Sequence, residues 1–563
     1  MLFSETVNRE IIMNSKDLSP IVRKILSQRG ITAEEDIEEY ISLRPKRTYD
    51  PFLMKGMDAA CDMIEEYAGQ GRKICIYGDY DADGVTSVSL MLTVLKQFAS
   101  NVDYYIPSRF KEGYGLNRGA IDIMKSRGTE LVITVDNGCV ALDEVAYIIE
   151  KGMAVIVTDH HNVGEEIPDC IMLNPKQPGD EYPFNFLCGC GIAFKLAQAL
   201  NRRGLISKKL LNSLLDITGV ATVGDIVPLT DENRTLVKYG LDRLKRNERP
   251  GLQELCRKIK LDPHTIGSYN IAFGIVPHIN SCGRMASADL GVRLLTGSQP
   301  EELEKLADDM ARLNAERKAE QDRIYKTAVK ELEAGEDIPL FIVYYAGGAH
   351  EGVTGIVAGK IKEKFCRPVI IFTDIQDGGV KGTGRSIPGV DLHGLLKKYS
   401  DLYSRFGGHA GACGLSMKRK DLDYLRERLN EDMVQIVRED PEIISGTITP
   451  DICISGDEVR LELARDIQLM EPFGEGNQRP VFRIDSVEVK NLRRLGSEGQ
   501  YTKLRCMSAG GNAFDVMSFD SDMKNLSLIG PGDMVSLTGE IDENVWNGRH
   551  SVQVILRAVS LQD

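Results

Sequence analysis

Ile74-Cys75-Ile76-Tyr77-Gly78-Asp79-Tyr80-Asp81-Ala82-Asp83-Gly84 is a short apolar run that stops abruptly at a cluster of carboxylates. The pattern returns twice. Leu131-Val132-Ile133-Thr134-Val135 runs into Asp136-Asn137-Gly138, and Ala154-Val155-Ile156-Val157-Thr158 runs into Asp159-His160-His161. Brief β-branched runs with helical stretches between them are the pattern of parallel strands in an α/β sheet. Ligands of such sheets bind beyond the carboxyl ends of the strands. Asp79, Asp81, Asp83, Asp136, Asp159, His160 and His161 are therefore expected along one edge. Carboxylates at such range oppose one another's ionisation, and one or two divalent cations resolve the conflict. Carboxylate oxygen with imidazole nitrogen suits Mn2+ or Mg2+ better than the thiolate sets typical of structural zinc. Each motif alone also reads as a helix cap or a turn; the threefold recurrence points to a metal site.

At 563 residues the chain is too long for one core, and about three to four domains are expected. Hydrophobic content of 42% with 27% charged residues is that of a soluble globular protein. The opening MLFSETVNREIIMNSKDLSP is charged throughout and lacks the apolar core of a signal peptide. No run approaches the roughly 20 apolar residues that span a bilayer. Twelve cysteines, many in apolar segments, suit a reducing cytoplasm better than a disulfide scaffold. Cys188-Gly189-Cys190 lacks the partner pair of a zinc site and reads as small residues packing at the start of a helix over Gly191 to Leu200. The net charge of −14 does not settle a polyanion partner. Acids clustered on metal ions are locally neutralised, and Lys and Arg can still line one groove.

Composition shifts divide the chain. Residues 1–55 read as a helical lead-in and 56–231 as the acid-edged α/β domain, with Asp225 in a small-residue turn as a further candidate ligand. Residues 232–335 read as a helical connector ending in one long helix over 298–334, with Ser298 as its N-cap. A second α/β module is expected over 336–444. It carries glycine-rich motifs at 349–364, 382–387 (GTGRSI) and 407–414 (GGHAGACG), read as turns whose open N–H groups face an anion. From 445 to 563, short alternating strands such as Val481 to Ile484 and Val535 to Gly539 suggest a small β-barrel of the OB type. Trp546-Asn547-Gly548 reads as a hairpin turn.

In order, GDYDADGVTS, VDNG, TDHH and TVGD (222–225) resemble the DHH phosphoesterase superfamily. With IPSRFKEGYGLN (106–117), CGIAFKLAQAL (190–200), PHINSCGRM (277–285) and MEPFGEGNQRPVF (470–482), nearly the whole chain from residue 70 resembles its RecJ family of exonucleases. The resemblance implies two α/β lobes, a DHH domain and its associated domain, joined by the long helix around a cleft and followed by an OB-like barrel. It implies Asp79, Asp81, Asp83, Asp136, His160 and Asp225 as ligands of two Mn2+ or Mg2+ ions, and Asp159, His160 and His161 as catalytic. Arg109, Tyr114, Asn280, Ser281, Arg284, His350, Arg385, Ser386 and His409 match substrate-binding positions, with Asn280-Ser281 read as a turn. The implied activity is 5′-to-3′ hydrolysis of single-stranded DNA to 5′-mononucleotides in repair and recombination. The implied setting is a cytoplasmic monomer working with a single-strand-binding protein and a helicase, away from membranes. Three positions depart from the pattern: Tyr77 where some members place histidine, His278 where arginine is frequent, and Cys282 where alanine is. The rivals are a phosphodiesterase for cyclic dinucleotides or short oligonucleotides, which would lack the barrel, and an inactive scaffold, which would lack the acids.

Overall fold

The computed structural model describes residues 18–562 except 111, 114, 376, 377, 497, 498, 521, 522 and 524. They fall into two compact units. One takes in the chain up to Pro107, Glu112–Val276 and the chain from Ile448 onward; the other is Ser108–Lys111 with Pro277–Thr447.

In the first unit, β1 (Ile74–Tyr77), β2 (Val102–Tyr105), β3 (Leu131–Val135), β4 (Ala154–Thr158) and β5 (Ile171–Leu173) form a wholly parallel sheet in the order β2-β1-β3-β4-β5. Every residue of β1 and β3 is buried, which is why these strands are continuous apolar runs with no alternation. The helices Ala82–Leu95, Gly189–Arg202 and Leu215–Gly224 pack on one another beside the sheet. Nearly every residue of all three is buried.

The same unit contains a closed five-stranded barrel. Strands β12 (Val481–Leu495), β13 (Tyr501–Ser508), β14 (Ala513–Ser518), β16 (Arg549–Leu561) and β15 (Met534–Trp546) pair in that order, and β15 returns to β12. β11 (Ile452–Ser455) adds a parallel edge to β12. The strands are longer than the alternating stretches in the sequence suggest. Register shifts between Val489 and Asn491 and between Thr538 and Gly539 interrupt the period-2 pattern while the strand continues. Asn547-Gly548 forms the expected two-residue hairpin, with φ of 49° and 74° and Trp546 paired to Arg549. The helices Pro20–Gln28 and Glu34–Ile41 pack into this barrel: Val22, Ile25, Leu26, Ile37 and Ile41 share one core with Phe482, Ile484, Val535 and Leu537.

The second unit is a mixed sheet, β6-β7-β8-β10-β9, in which β6 (Ile342–Tyr345) and β7 (Val369–Asp374) are parallel. The strands β8 (Gly379–Arg385), β10 (Ala412–Lys418) and β9 (Tyr403–His409) continue it antiparallel. The helix Pro300–Glu333 lies wholly in this unit, packed on Glu351–Phe365 through Ile324 and Ala328. Its N-cap is Gln299 rather than Ser298, with Pro300 supplying the fixed φ of the first helical position. No helix among the described residues is long and apolar enough to cross a membrane.

Of the three expected glycine turns, 349–364 is mostly the helix Glu351–Phe365, 382–385 is strand, and only 407–414 keeps a turn, Ala410-Gly411 between β9 and β10. Gly382 to Arg385 belongs to β8, paired on both sides, and Tyr403–His409 is β9. Gly382 and Gly384 serve packing, since a Cβ on Gly382 would lie 2.6 Å from the Phe372 ring and one on Gly384 2.8 Å from Leu392.

Candidate metal centre

Glycine sets the geometry of the first motif. A Cβ on Gly84 would lie 2.5 Å from the Asp79 backbone oxygen, and one on Gly78 2.2 Å from a Val88 methyl. With neither present, the helix Ala82–Leu95 starts directly against the end of β1. Asp81 caps it, Oδ1 accepting from the N–H groups of Asp83 and Gly84 at 3.0 Å each. Asp83, in the first turn and almost fully buried, accepts from Gly189 N–H at 2.6 Å and Cys190 N–H at 2.8 Å. Those donors open the helix Gly189–Arg202, whose N-terminus favours a negative partner. That helix begins at Gly189, two residues before the expected start, with Cys188 as N-cap. A Cβ on Gly189 would lie 2.6 Å from Asp136 Cβ. The CGC stretch is thus a small-residue helix start, as expected, and it also seats the Asp83 carboxylate.

Asp136 leaves β3 with φ 62°, a left-handed conformation uncommon outside glycine. Thr134 Oγ1 donates to Asn137 O at 2.7 Å and Asn137 Nδ2 to Val135 O at 3.0 Å, holding the turn. At the end of β4, Asp159 is turned inward. Its Oδ2 accepts from Cys139 N–H at 2.9 Å, and Oδ1 accepts from the N–H groups of His160 and His161 at 2.7 and 3.2 Å. The same Oδ1 lies 2.7 Å from His161 Nδ1, which fixes that nitrogen as the protonated one. His160 Nε2 lies 3.2 Å from Asp136 Oδ1, 3.5 Å from Asp225 Oδ2 and 3.9 Å from Asp83 Oδ2. Asp225 arrives as the C-cap of Leu215–Gly224.

The electrostatics follow from this crowding. Burial, and after it the Asp81 charge, pushes Asp83 up to about 6. Burial and the neighbouring acids, Asp83 foremost, raise Asp136 and Asp225 well above the usual carboxylate range. Burial pulls His160 down to about 3, leaving a neutral imidazole at pH 7. Burial would also raise Asp159, but the His161 and Cys139 bonds outweigh it and hold that carboxyl below its ordinary value. His161 is lowered by burial and raised more strongly by Asp159, with a net upward shift.

These residues fit a cation site. Asp136 Oδ1 and His160 Nε2 are buried and have no hydrogen-bond partner among the described residues. Three groups each bring their ligand atoms within 4.8 Å of one another: Asp79, Asp81 and Asp136; Asp83, His160 and Asp225; and Asp136, His160 and His161. A donor set of oxygens and imidazole nitrogen, with repelling acids and orphaned ligand atoms, suits a hard divalent ion. β5 also ends in a polar stretch that the sequence reading passed over. Asn174 Nδ2 donates to His161 O at 3.0 Å, and the half-buried Lys176 acts electrostatically on Asp159 and Asp225. Applying the strand-end rule to this fifth strand would have found both.

In the second unit, Arg385 ends β8 opposite Ala412, whose partner on the other side is His409. Facing positions in such a row share a sheet face. Burial, and then the Arg109 charge, lowers the Arg385 guanidinium. Phe110 meets the His350 ring edge-on at 5.3 Å, and His350 caps Glu351–Phe365 by accepting from Gly352 N–H. The Ser386 hydroxyl donates to Val390 O at 2.6 Å. Asn280, Ser281 and Arg284 lie on the helix Val276–Met285 and form no turn. Ser281 is buried there, its hydroxyl donating to His278 O at 2.7 Å; helical side chains of this size satisfy themselves on the preceding turn. Arg284 Nη1 donates to Gly352 O at 3.1 Å. Tyr114 lies outside the described residues.

Comparison with known proteins places these features in a family. Residues 73–222 match the DHH family N-terminal domain, 337–435 the DHHA1 domain and 450–558 the RecJ OB domain. The single-stranded-DNA-specific exonuclease RecJ of Bacillus subtilis is 37% identical, with 97% of this chain and 68% of that protein aligned. The RecJ of Salmonella typhimurium is 32% identical over 96% of both chains. The chain belongs to the RecJ family. The crystal structure of Thermus thermophilus RecJ with Mn2+ superposes with a TM-score of 0.81 at 27% identity, covering 98% of this chain and 77% of that one. Its Mg2+ complex gives 0.75 at the same identity, covering 98% and 76%. Those RecJ structures hold ions of the class this donor set suits.

The three departures from the RecJ pattern all have work inside the fold. The Tyr77 ring is buried and stacks on Tyr105 at 5.7 Å, and its hydroxyl donates to Gly115 O at 2.9 Å. His278 Nε2 lies 3.0 Å from Asn314 Nδ2. Cys282 is buried, its thiol directed at His278 O.

Proposed function

We propose that the chain is a divalent-metal-dependent exonuclease that hydrolyses single-stranded DNA in the 5′-to-3′ direction, releasing 5′-mononucleotides. The observation that carries this reading is the edge where Asp83, Asp136 and Asp225 surround the buried, unpartnered His160 Nε2. The names of its full-length RecJ relatives supply the substrate. Bound Mn2+ or Mg2+ would supply a water of lowered pKa and neutralise charge developing on phosphorus. Asp79, Asp81, Asp83, Asp136, His160 and Asp225 would hold it, His160 as a neutral ligand.

The remaining work falls to the chain's own groups. Asp159 fixes the ring of His161 and keeps a proton on Nδ1, so that His161 presents its outer edge to a phosphate oxygen or leaving group. Arg109, Arg385, His350 and His409 offer cationic and N–H donors to phosphate, with no carboxylate bonded to Arg385 among the described residues. The barrel supports the polymer reading over a dinucleotide phosphodiesterase, since OB barrels bind oligonucleotides through a strand face and their loops. Twelve free cysteines and the family resemblance support a cytoplasmic monomer working with a single-strand-binding protein and a helicase.

Incubation with 5′- and 3′-labelled single strands, beside a duplex control, tests the reading. Mononucleotides should be released first from the 5′ label, with Mn2+ or Mg2+ and not with chelator. Equal cleavage of the duplex, or release first from the 3′ label, would overturn it.

A further inference from the structure

Asp225 closes its helix in an ordinary helical conformation, φ −84°, but the residue after it does not continue one. Ile226 follows it at φ 59° and is 70% exposed. A β-branched residue in the left-handed region is a true outlier, and such strain persists only where the surroundings over-determine it. The restraint comes from far along the chain. Leu229 N–H donates to Glu475 O at 2.7 Å. A Cβ on Gly474 would lie 2.7 Å from Leu229 Cδ1, and one on Gly476, itself at φ 67°, 3.0 Å from Pro228 Cβ. Pro228-Leu229 therefore lies flush against the loop that leads into β12.

That loop is shaped by Asn477, which is 2% exposed. Its Nδ2 donates to Met470 O at 2.9 Å and Pro472 O at 2.8 Å. Its Oδ1 accepts from Arg29 Nη1 and Tyr40 Oη, each at 2.6 Å. Its backbone bonds reciprocally to Gly474. Ser268 Oγ adds a bond to Phe473 O at 2.6 Å.

We propose that the 471–479 loop is a positioning element for the metal centre: by clamping Pro228-Leu229 it holds Ile226 in its strained turn and keeps the Asp225 carboxylate beside His160. The OB module thereby helps to build the hydrolytic site, and Asn477 is its central positioning residue. The proposal rests on the metal-centre reading above, and one experiment separates the two.

Mn2+ binding to the full-length protein is measured by titration calorimetry, with Tm recorded for each variant. Asp225→Ala should abolish or strongly weaken one ion; wild-type binding in that variant would remove the metal-centre reading itself. Asn477→Ala should weaken the same ion about tenfold, the scale on which one strained residue acts, and should also lower Tm. Adding Ile226→Gly to Asn477→Ala removes the left-handed penalty. It should restore affinity to within about threefold while Tm stays low, because Arg29 and Tyr40 remain without Asn477. A purely structural loop would not separate the two quantities. Should Asn477→Ala not fold, Gly476→Ala leaves those bonds intact and pushes on Pro228 directly, with the same loss expected. Wild-type Mn2+ affinity in Asn477→Ala or Gly476→Ala, or no recovery in the double variant, overturns the proposal.

Discussion

Asp159 and His160 are neighbours with opposite electrostatics. Asp159 is held ionised by N–H donors on both oxygens, while His160 is held neutral by burial and the adjacent His161. Asp159→Asn keeps the shape but replaces one acceptor oxygen with a donor, so His161 loses its fixed orientation. We expect kcat to fall roughly 10- to 100-fold with Mn2+ affinity unchanged, read by steady-state kinetics beside calorimetry. His160→Ala should instead remove Mn2+ binding and hydrolysis together. The sequence placed both residues at one strand end, but their different roles depend on which way each carboxylate or ring turns, and no spacing rule encodes that. Asp83 adds a pH prediction. Its carboxyl is raised from 3.8 to about 6 in the folded protein, so without metal the folded state binds the extra proton in that window. Stability of the metal-free protein should therefore fall as pH rises from about 4 to about 6. Mn2+ displaces that proton, so the Tm gain from saturating Mn2+ should grow over the same interval. A pH-independent gain would show that Asp83 is not a ligand.

At the scale of elements, the strand-end motifs were legible because a parallel sheet buries its strands on both faces and ends them at polar turns. The N-terminus of Gly189–Arg202 was harder to read: its contribution is backbone N–H, which any residue supplies. Gly189 is what lets it approach, and Gly189→Ala should break the centre from the helix side. A methyl 2.6 Å from Asp136 Cβ forces the helix away from Asp83, and Mn2+ affinity should drop while far-UV circular dichroism is retained. The GTGRSI motif of the second module was misread for a related reason. A glycine that opens a turn and a glycine that admits a ring against a strand have the same letter. Arg385 still stands at the end of β8, and Arg385→Ala should raise KM for single strands by roughly 10- to 150-fold through a lost charge-assisted phosphate bond. Mn2+ binding should not change; a loss there would give Arg385 a different role.

For the molecule as a whole, the sequence order of modules conceals a shared core. Ile25, fully buried, belongs to the same apolar cluster as Phe482 and Leu537 of the barrel. Ile25→Ala should destabilise the first unit by about 2–5 kcal/mol, and limited proteolysis should then cut within the barrel as well as in the lead-in. Cleavage confined to the lead-in would show that the two fold independently. This arrangement was invisible in composition, because the apolar stripe of an amphipathic helix does not say which surface covers it.

The bond from Ser19 N–H to Asp466 Oδ2, 2.8 Å long, joins residues 447 positions apart. Synthesis at about 5–20 residues per second puts roughly 20–90 s between the appearance of the two partners. For that interval Val22, Ile25 and Leu26 face water on a tethered chain while the parallel sheet is already being assembled. These helices, made long before the barrel, are thus among the last to find their place, and a growing chain must shelter them, or have them sheltered by a holding factor, until the barrel emerges.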